Sequence, residues 1–165
     1  MELEKHRFLE LINDNRGIIR SLCKIYYISQ ADQEDAFQDI VLQLWKSMGS
    51  FQGKSEISTW IYRVGLNTIL NQKRKDKRTI QAEPIETAHD VLQTAKADDE
   101  LELLQLIIRS LKDLDKAIVV LYLEGYRNKE IAEILKLTPT NVATRFNRIK
   151  SQLKLKFNTS THATK

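Results

Sequence analysis

The chain has 165 residues, room for one or two small domains, and its 42% hydrophobic and 29% charged residues exclude an intrinsically disordered composition. Five glycines and two prolines amid abundant Leu, Ile, Lys, Glu and Gln point to an all-α protein. The net charge of +4 is a mild bias toward an anionic partner. No apolar run approaches the roughly 20 residues that span a bilayer, so no membrane insertion is expected. Glu2, Glu4 and Glu10 lie among the first apolar residues, which is not a signal-peptide pattern. Cys23 is the single cysteine, so no internal disulfide forms; a reducing, cytoplasmic setting and a buried thiol are expected.

Phe8, Leu11, Ile12, Ile18, Ile19, Leu22 and Tyr26 recur at helical spacing, with an interruption or kink expected between Asn13 and Gly17. Ser29 to Asp32 is a break with N-cap chemistry. The next helix places Ala36, Phe37, Ile40, Val41, Leu44, Trp45 and Met48 on one apolar face. Gly49 to Ser55 reads as a loop in which Gly53 is free to take a positive φ. A helix follows from Glu56 to about Arg74, with Ile57, Trp60, Ile61, Val64, Leu66 and Ile69 as packing positions. Residues 80–98 are polar and acidic, carry Pro84, and read as a flexible linker. Helices are then expected from Asp98 to Leu111 and from Leu114 to Glu124, the second ending at Gly125. Asn128 to Leu135 and Pro139 to about Phe157 complete the chain, and residues 158–165 read as a disordered tail. The domains are therefore 1–79 and 99–157, two small helical domains joined by the linker.

Charge is unevenly placed. No Asp or Glu follows Glu133, whereas Lys136, Arg145, Arg148, Lys150, Lys154 and Lys156 do, and a second basic run covers Lys73 to Arg78. Two basic surfaces on either side of an acidic connector fit two DNA-facing modules. In the second, Arg127 to Leu153 has the form of a helix-turn-helix. Ile131, Ala132, Ile134 and Leu135 make the apolar side of a short helix, and small Ala132 lets the next helix cross closely. Leu137 is placed to plug the turn, Thr138 is a good N-cap, and Pro139 suits the first helical position. Val142, Phe146 and Ile149 are the buried side of the second helix. Thr140, Asn141, Ala143, Thr144, Arg145, Asn147 and Arg148 remain on or near its open face. Asn and Arg side chains there match base edges of the major groove, and the cations match phosphates. Lys136 stands at a position that often demands a left-handed backbone.

In the first module, Phe51, Trp60 and Tyr62 lie near Lys54, Arg63 and the basic run Lys73 to Arg78, a mixture suited to single-stranded nucleic acid, and Asn67 shares the face of Arg63. Trp60 and Phe51 are equally read as core, and Tyr62 and Arg63 as the better candidates for exposure. Asp35, Gln38, Asp39 and Leu42 form an acidic stripe on the preceding helix, fit for a partner helix bearing Arg or Lys.

These pieces resemble, in order, the extracytoplasmic-function (ECF) group of RNA polymerase sigma factors. The resemblance is carried by Asp32 to Trp45, Phe51 to Ser55, Ser58 to Asn67, Leu121 to Tyr126, Glu130 to Leu135 and Val142 to Arg145. It implies two sigma regions, the second and the fourth. It implies docking of Asp35, Gln38, Asp39 and Leu42 on the β′ clamp helices of core RNA polymerase, and of the C-terminal module on the β flap. It further implies minus-ten promoter DNA at Lys54, Ser55, Tyr62, Arg63, Asn67, Lys73 and Arg74, minus-thirty-five DNA at the helix-turn-helix, and an anti-sigma factor as regulatory partner. Asp115 after Leu114, Asn141 and Ala143 depart from frequent family residues.

No enzyme chemistry is expected. His6, His89 and His162 are scattered, Cys23 has no partner ligand, and neither a phosphate-cradling glycine loop nor a nucleophile–base pair is present, so no metal or cofactor is expected. Two other readings stand beside the sigma factor: a stand-alone helix-turn-helix regulator, and a sigma-mimicking protein that sequesters a regulator.

Overall fold

The structure, a computed structural model, describes residues 1–79 and 100–162; the acidic linker and residues 163–165 lie outside them. All regular structure among the described residues is helical, and the chain divides into two units, 1–79 and 80–165.

The first unit holds α1 (Glu2–Asp14), α2 (Arg16–Tyr26), α3 (Gln30–Ser47), a 3-10 turn (Met48–Ser50) and α4 (Ile57–Thr79). The expected kink is the α1–α2 junction. Asn15 ends α1, and its side-chain amide donates to the carbonyl of Leu11 at 2.9 Å. Ser29 caps α3: its Oγ accepts from the Asp32 amide at 3.1 Å and donates to the Asp32 carboxylate at 2.7 Å. Ile19 and Leu22 of α2, Ile40 and Leu44 of α3, and Ile61, Leu66 and Ile69 of α4 form the core. Each such side chain contributes about 1.5–3 kcal/mol when fully removed from water. Gly65 sits where α4 meets its neighbours, and an added Cβ there would lie 3.0 Å from Leu22 Cδ1.

Two expectations about this unit need correcting. The apolar face of α3 is split between two neighbours. Ala36, Ile40 and Leu44 are buried against α2 and α4, whereas Phe37 and Val41 are half-buried and Trp45 is exposed, with the Phe8 ring edge-on to it at 5.0 Å. Ile57, at the start of α4, is exposed rather than packed, because the loop before it leaves that first turn uncovered.

The second unit holds α5 (Glu100–Arg109), α6 (Asp113–Leu123), α7 (Asn128–Leu135) and α8 (Pro139–His162). Its core is Ile107 and Ile108 of α5, Ile118 and Leu121 of α6, Ile131 and Ile134 of α7, and Val142 and Ile149 of α8. Gly125 ends α6 at φ +88°, as its missing Cβ permits. α8 does not stop near Phe157. It continues through Asn158–His162, where a tail is expected, because no Gly or Pro intervenes and Thr159 Oγ1 is bonded back to the Leu155 carbonyl at 2.8 Å.

Candidate nucleic-acid interface

The helix-turn-helix is α7 and α8. Glu130 accepts from the Arg127 amide at 2.7 Å, fixing the start of α7. Lys136 leaves α7 in the left-handed conformation, φ 56° and ψ 45°, alone among the described non-glycine residues. Leu137 is half-buried in the turn, and Ala132 is buried beneath it with its carbonyl accepting the Leu137 amide at 2.9 Å. Thr138 caps α8, its Oγ1 accepting from the Asn141 amide at 3.1 Å. Phe146 is half-buried and stacks on Tyr122 at 3.6 Å between centroids, and the Tyr122 hydroxyl donates to Asn128 at the start of α7. The recognition helix is thus held by its cap, its turn and a ring stack.

Of the residues expected on its open face, Thr140, Asn141, Thr144, Asn147 and Arg148 are exposed at three- and four-residue steps; Ala143 and Arg145 are half-buried. The arginines are not simply free cations. Arg145 Nη1 donates to Asp115 Oδ1 at 3.2 Å, and Arg148 Nη2 to Asp115 Oδ2 at 3.3 Å. Asp115 belongs to the first turn of α6 and is 2% exposed. A carboxylate that buried, left without its cations, would cost on the order of 3 kcal/mol. Both arginines therefore also tie α8 to α6. Nothing local in the sequence pairs positions so far apart. The signal available was two arginines three residues apart on an acid-free helix, beside one carboxylate at the head of an apolar helix. Lys150 and Lys154 are exposed further along α8, where phosphates would add no sequence information.

In the first unit, Lys54 is exposed and Ser55 half-buried in the loop after Gly53, whose φ is +68°. Arg63 and Asn67 are half-buried one turn apart on α4, and Arg63 Nε is enclosed with no hydrogen-bond acceptor. Tyr62 must be withdrawn from the exposed set: it is 4% exposed. α4 has helices packed on two sides, so its buried arc widens to include Trp60, Ile61 and Tyr62 in succession. Trp60 is core, with the Phe51 ring 5.0 Å away. Arg74 is exposed, while the Lys73 ammonium lies 4.1 Å from the centre of the Tyr27 ring. Ten residues of helix put Lys73 about 15 Å along α4 from Arg63. The basic run falls in the last turns of α4, where the helix dipole favours cations.

Asp35, Gln38, Asp39 and Leu42 are all exposed on α3. Beside them lies an open, mostly apolar groove of about 500 Å³ lined by Lys5, Phe8 and Leu9 of α1, by Phe37, Val41 and Trp45 of α3, and by Gln38 and Leu42 themselves. Sequence reading missed this groove because the second wall, α1, is set by tertiary packing. No helix among the described residues is long and apolar enough to cross a membrane.

Comparison with known proteins agrees with this layout. Residues 11–79 match the Sigma-70 region 2 family and residues 101–153 the Sigma-70 region 4 family. The chain is 24% identical over 151 residues to the ECF RNA polymerase sigma factor SigM of Mycobacterium tuberculosis, covering 91% of this chain and 76% of that one. It is 28% identical over 142 residues to the ECF RNA polymerase sigma-E factor of Escherichia coli, covering 77% of this chain and 74% of that one. Its fold matches the sigma factor RpoE of Bartonella quintana, solved with the anti-sigma factor NepR, at a TM-score of 0.69 and 17% identity over 96% of this chain and 98% of that one. It matches CnrH, solved with the cytosolic domain of CnrY, at 0.65 and 18% identity over 94% and 90%. The region 2 match gives the first unit an identity that a stand-alone helix-turn-helix regulator lacks. The chain belongs to the ECF group of RNA polymerase sigma factors, proteins of transcription initiation.

Proposed function

We propose that this chain binds core RNA polymerase and directs it to a particular class of promoters. The observation that carries the reading is the combination, in one chain, of an exposed acidic stripe on α3 with a recognition helix whose polar face is open. Asp35, Gln38, Asp39 and Leu42 dock on the β′ clamp helices, where opposite charge sets register and rate of association. Lys54, Ser55, Arg63, Asn67 and Arg74 hold the melted minus-ten strand, with Lys73 beside them. Unstacking a base costs a few kcal/mol, offset by contacts in the loop before α4. α8 reads the minus-thirty-five element, and its module rests on the β flap. The chain supplies recognition and the polymerase supplies the bond chemistry, so no catalytic residue or cofactor is assigned. An anti-sigma factor covering the α3 stripe and its groove keeps the protein inactive in the cytoplasm until a signal releases it.

The test is binding in two settings. The labelled full chain is titrated with core polymerase, and genomic DNA fragments are offered to the chain alone and to the complex. Tight core binding with fragment selection only by the complex is expected. Tight, selective DNA binding by the chain alone, with no affinity for core, contradicts the proposal and favours a stand-alone regulator.

A further inference from the structure

Asn141 lies in the first turn of α8, the part of a recognition helix closest to base edges. Its Oδ1 accepts a hydrogen bond from Arg145 Nε at 2.9 Å. Arg145 in turn donates through Nη1 to the buried Asp115 at 3.2 Å. The two bonds leave from adjacent edges of one planar guanidinium, so neither can be made without fixing the plane. Asp115 cannot follow a moving partner, because it is buried in the first turn of α6. The anchored carboxylate therefore sets Arg145, and Arg145 sets the amide of Asn141.

The orientation of that amide follows from donor and acceptor chemistry. Arg145 Nε–H is a donor, so the amide oxygen must face it; the NH2 group facing it would oppose two donors. The oxygen faces Arg145, one turn further along α8, and the NH2 group takes no part in that bond. The familiar two-point pairing of Asn with adenine needs the oxygen to accept from the adenine amino group and the NH2 to donate to N7. Here one of that oxygen's two lone pairs is taken by Arg145, and the bond holds the oxygen toward Arg145 rather than toward a base. An NH2 donor instead suits the keto edges of the major groove, guanine O6 and N7 or thymine O4. Adenine offers only N7, with its amino donor beside it, and cytosine offers a donor alone.

We propose that Asp115 is a specificity-determining positioning residue: through Arg145 it locks Asn141 as a donor, giving preference for a keto base at one promoter position. This rests on the reading of α8 as the minus-thirty-five reader. Arg148 shares the same carboxylate, but half its side chain is exposed, which suits a phosphate rather than a base.

The experiment offers full-length protein, bound to core polymerase, a pool of duplexes randomised over the upstream element, and sequences what is retained. Wild type is expected to select G or T over A or C at one position. Asn141→Ala, Asp115→Asn and Arg145→Ala should each flatten that same position, by about fivefold, and leave the others unchanged. Arg148→Ala should weaken retention evenly across sequences. Arg145→Ala keeps Asp115 paired with Arg148, so it serves if Asp115→Asn does not fold. Retention that falls evenly in Arg145→Ala with an unchanged base profile overturns the proposal, as does an adenine preference at the Asn141-sensitive position. A wild-type complex with no upstream preference at all overturns the reading of α8 itself, and this inference with it.

Discussion

A Cβ built on Gly65 would lie 3.0 Å from Leu22 Cδ1, and Leu22 is fully buried. The close approach of α4 to α2 therefore depends on the absence of a side chain. Gly65→Val should destabilise the first unit by about 1–3 kcal/mol through overpacking. At Gly17 nothing lies within 4 Å of an added Cβ, so Gly17→Ala should raise stability by about 0.5 kcal/mol through helix propensity alone. Both tryptophans, Trp45 and Trp60, belong to the first unit, so urea unfolding followed by tryptophan fluorescence reads this unit specifically.

Lys136 holds a left-handed backbone that costs a residue with a Cβ about 1 kcal/mol. Lys136→Gly should stabilise the helix-turn-helix by about that amount, raising hydrogen-exchange protection at Ile131 and Val142 with no change in tryptophan-detected unfolding. Lower protection would show that the lysine side chain contributes more than its backbone conformation takes away.

Burial pushes the Cys23 thiol up from 9.0 to about 11, against a smaller opposing pull from Arg20. The folded pKa lies above the unfolded one, so this contribution to stability is complete below about pH 9. It is lost as pH rises through 11. Reaction of Cys23 with a disulfide reagent at pH 8 should be slow in the native protein and fast in urea. Equal rates in both states would contradict the buried placement.

Asp39 is exposed on α3 and makes no contact that the core requires. Asp39→Arg should weaken binding to core polymerase by roughly tenfold, mainly in the association rate and more at low salt, with unchanged thermal unfolding. An unaltered affinity would remove Asp39 from the docking surface.

The helices were legible because their signals are local. Ser29 and Thr138 announce caps, Gly125 a stop, and Asn13 to Gly17 a break, and each does what its chemistry dictates. The open face of α8 was legible for the same reason. What stayed hidden depends on partners distant in the chain. Tyr62 reads as exposed until α4 is seen to pack on two sides. Trp45 reads as core until α3 is seen to share its apolar face with α1. Arg145 and Arg148 read as DNA-facing cations until Asp115 is found between them. Asp115 was visible only as a departure from a familiar pattern, and its role emerged from where α6 places it.

The most direct test of the account is run-off transcription. Bacterial core polymerase is incubated with genomic fragments, with and without the full chain, and transcript starts are mapped. New, discrete start sites are expected that appear only with the chain, share an upstream and a downstream element, and disappear with Asp39→Arg. Initiation from the same sites by core alone, or from none when the chain binds DNA tightly by itself, would contradict it.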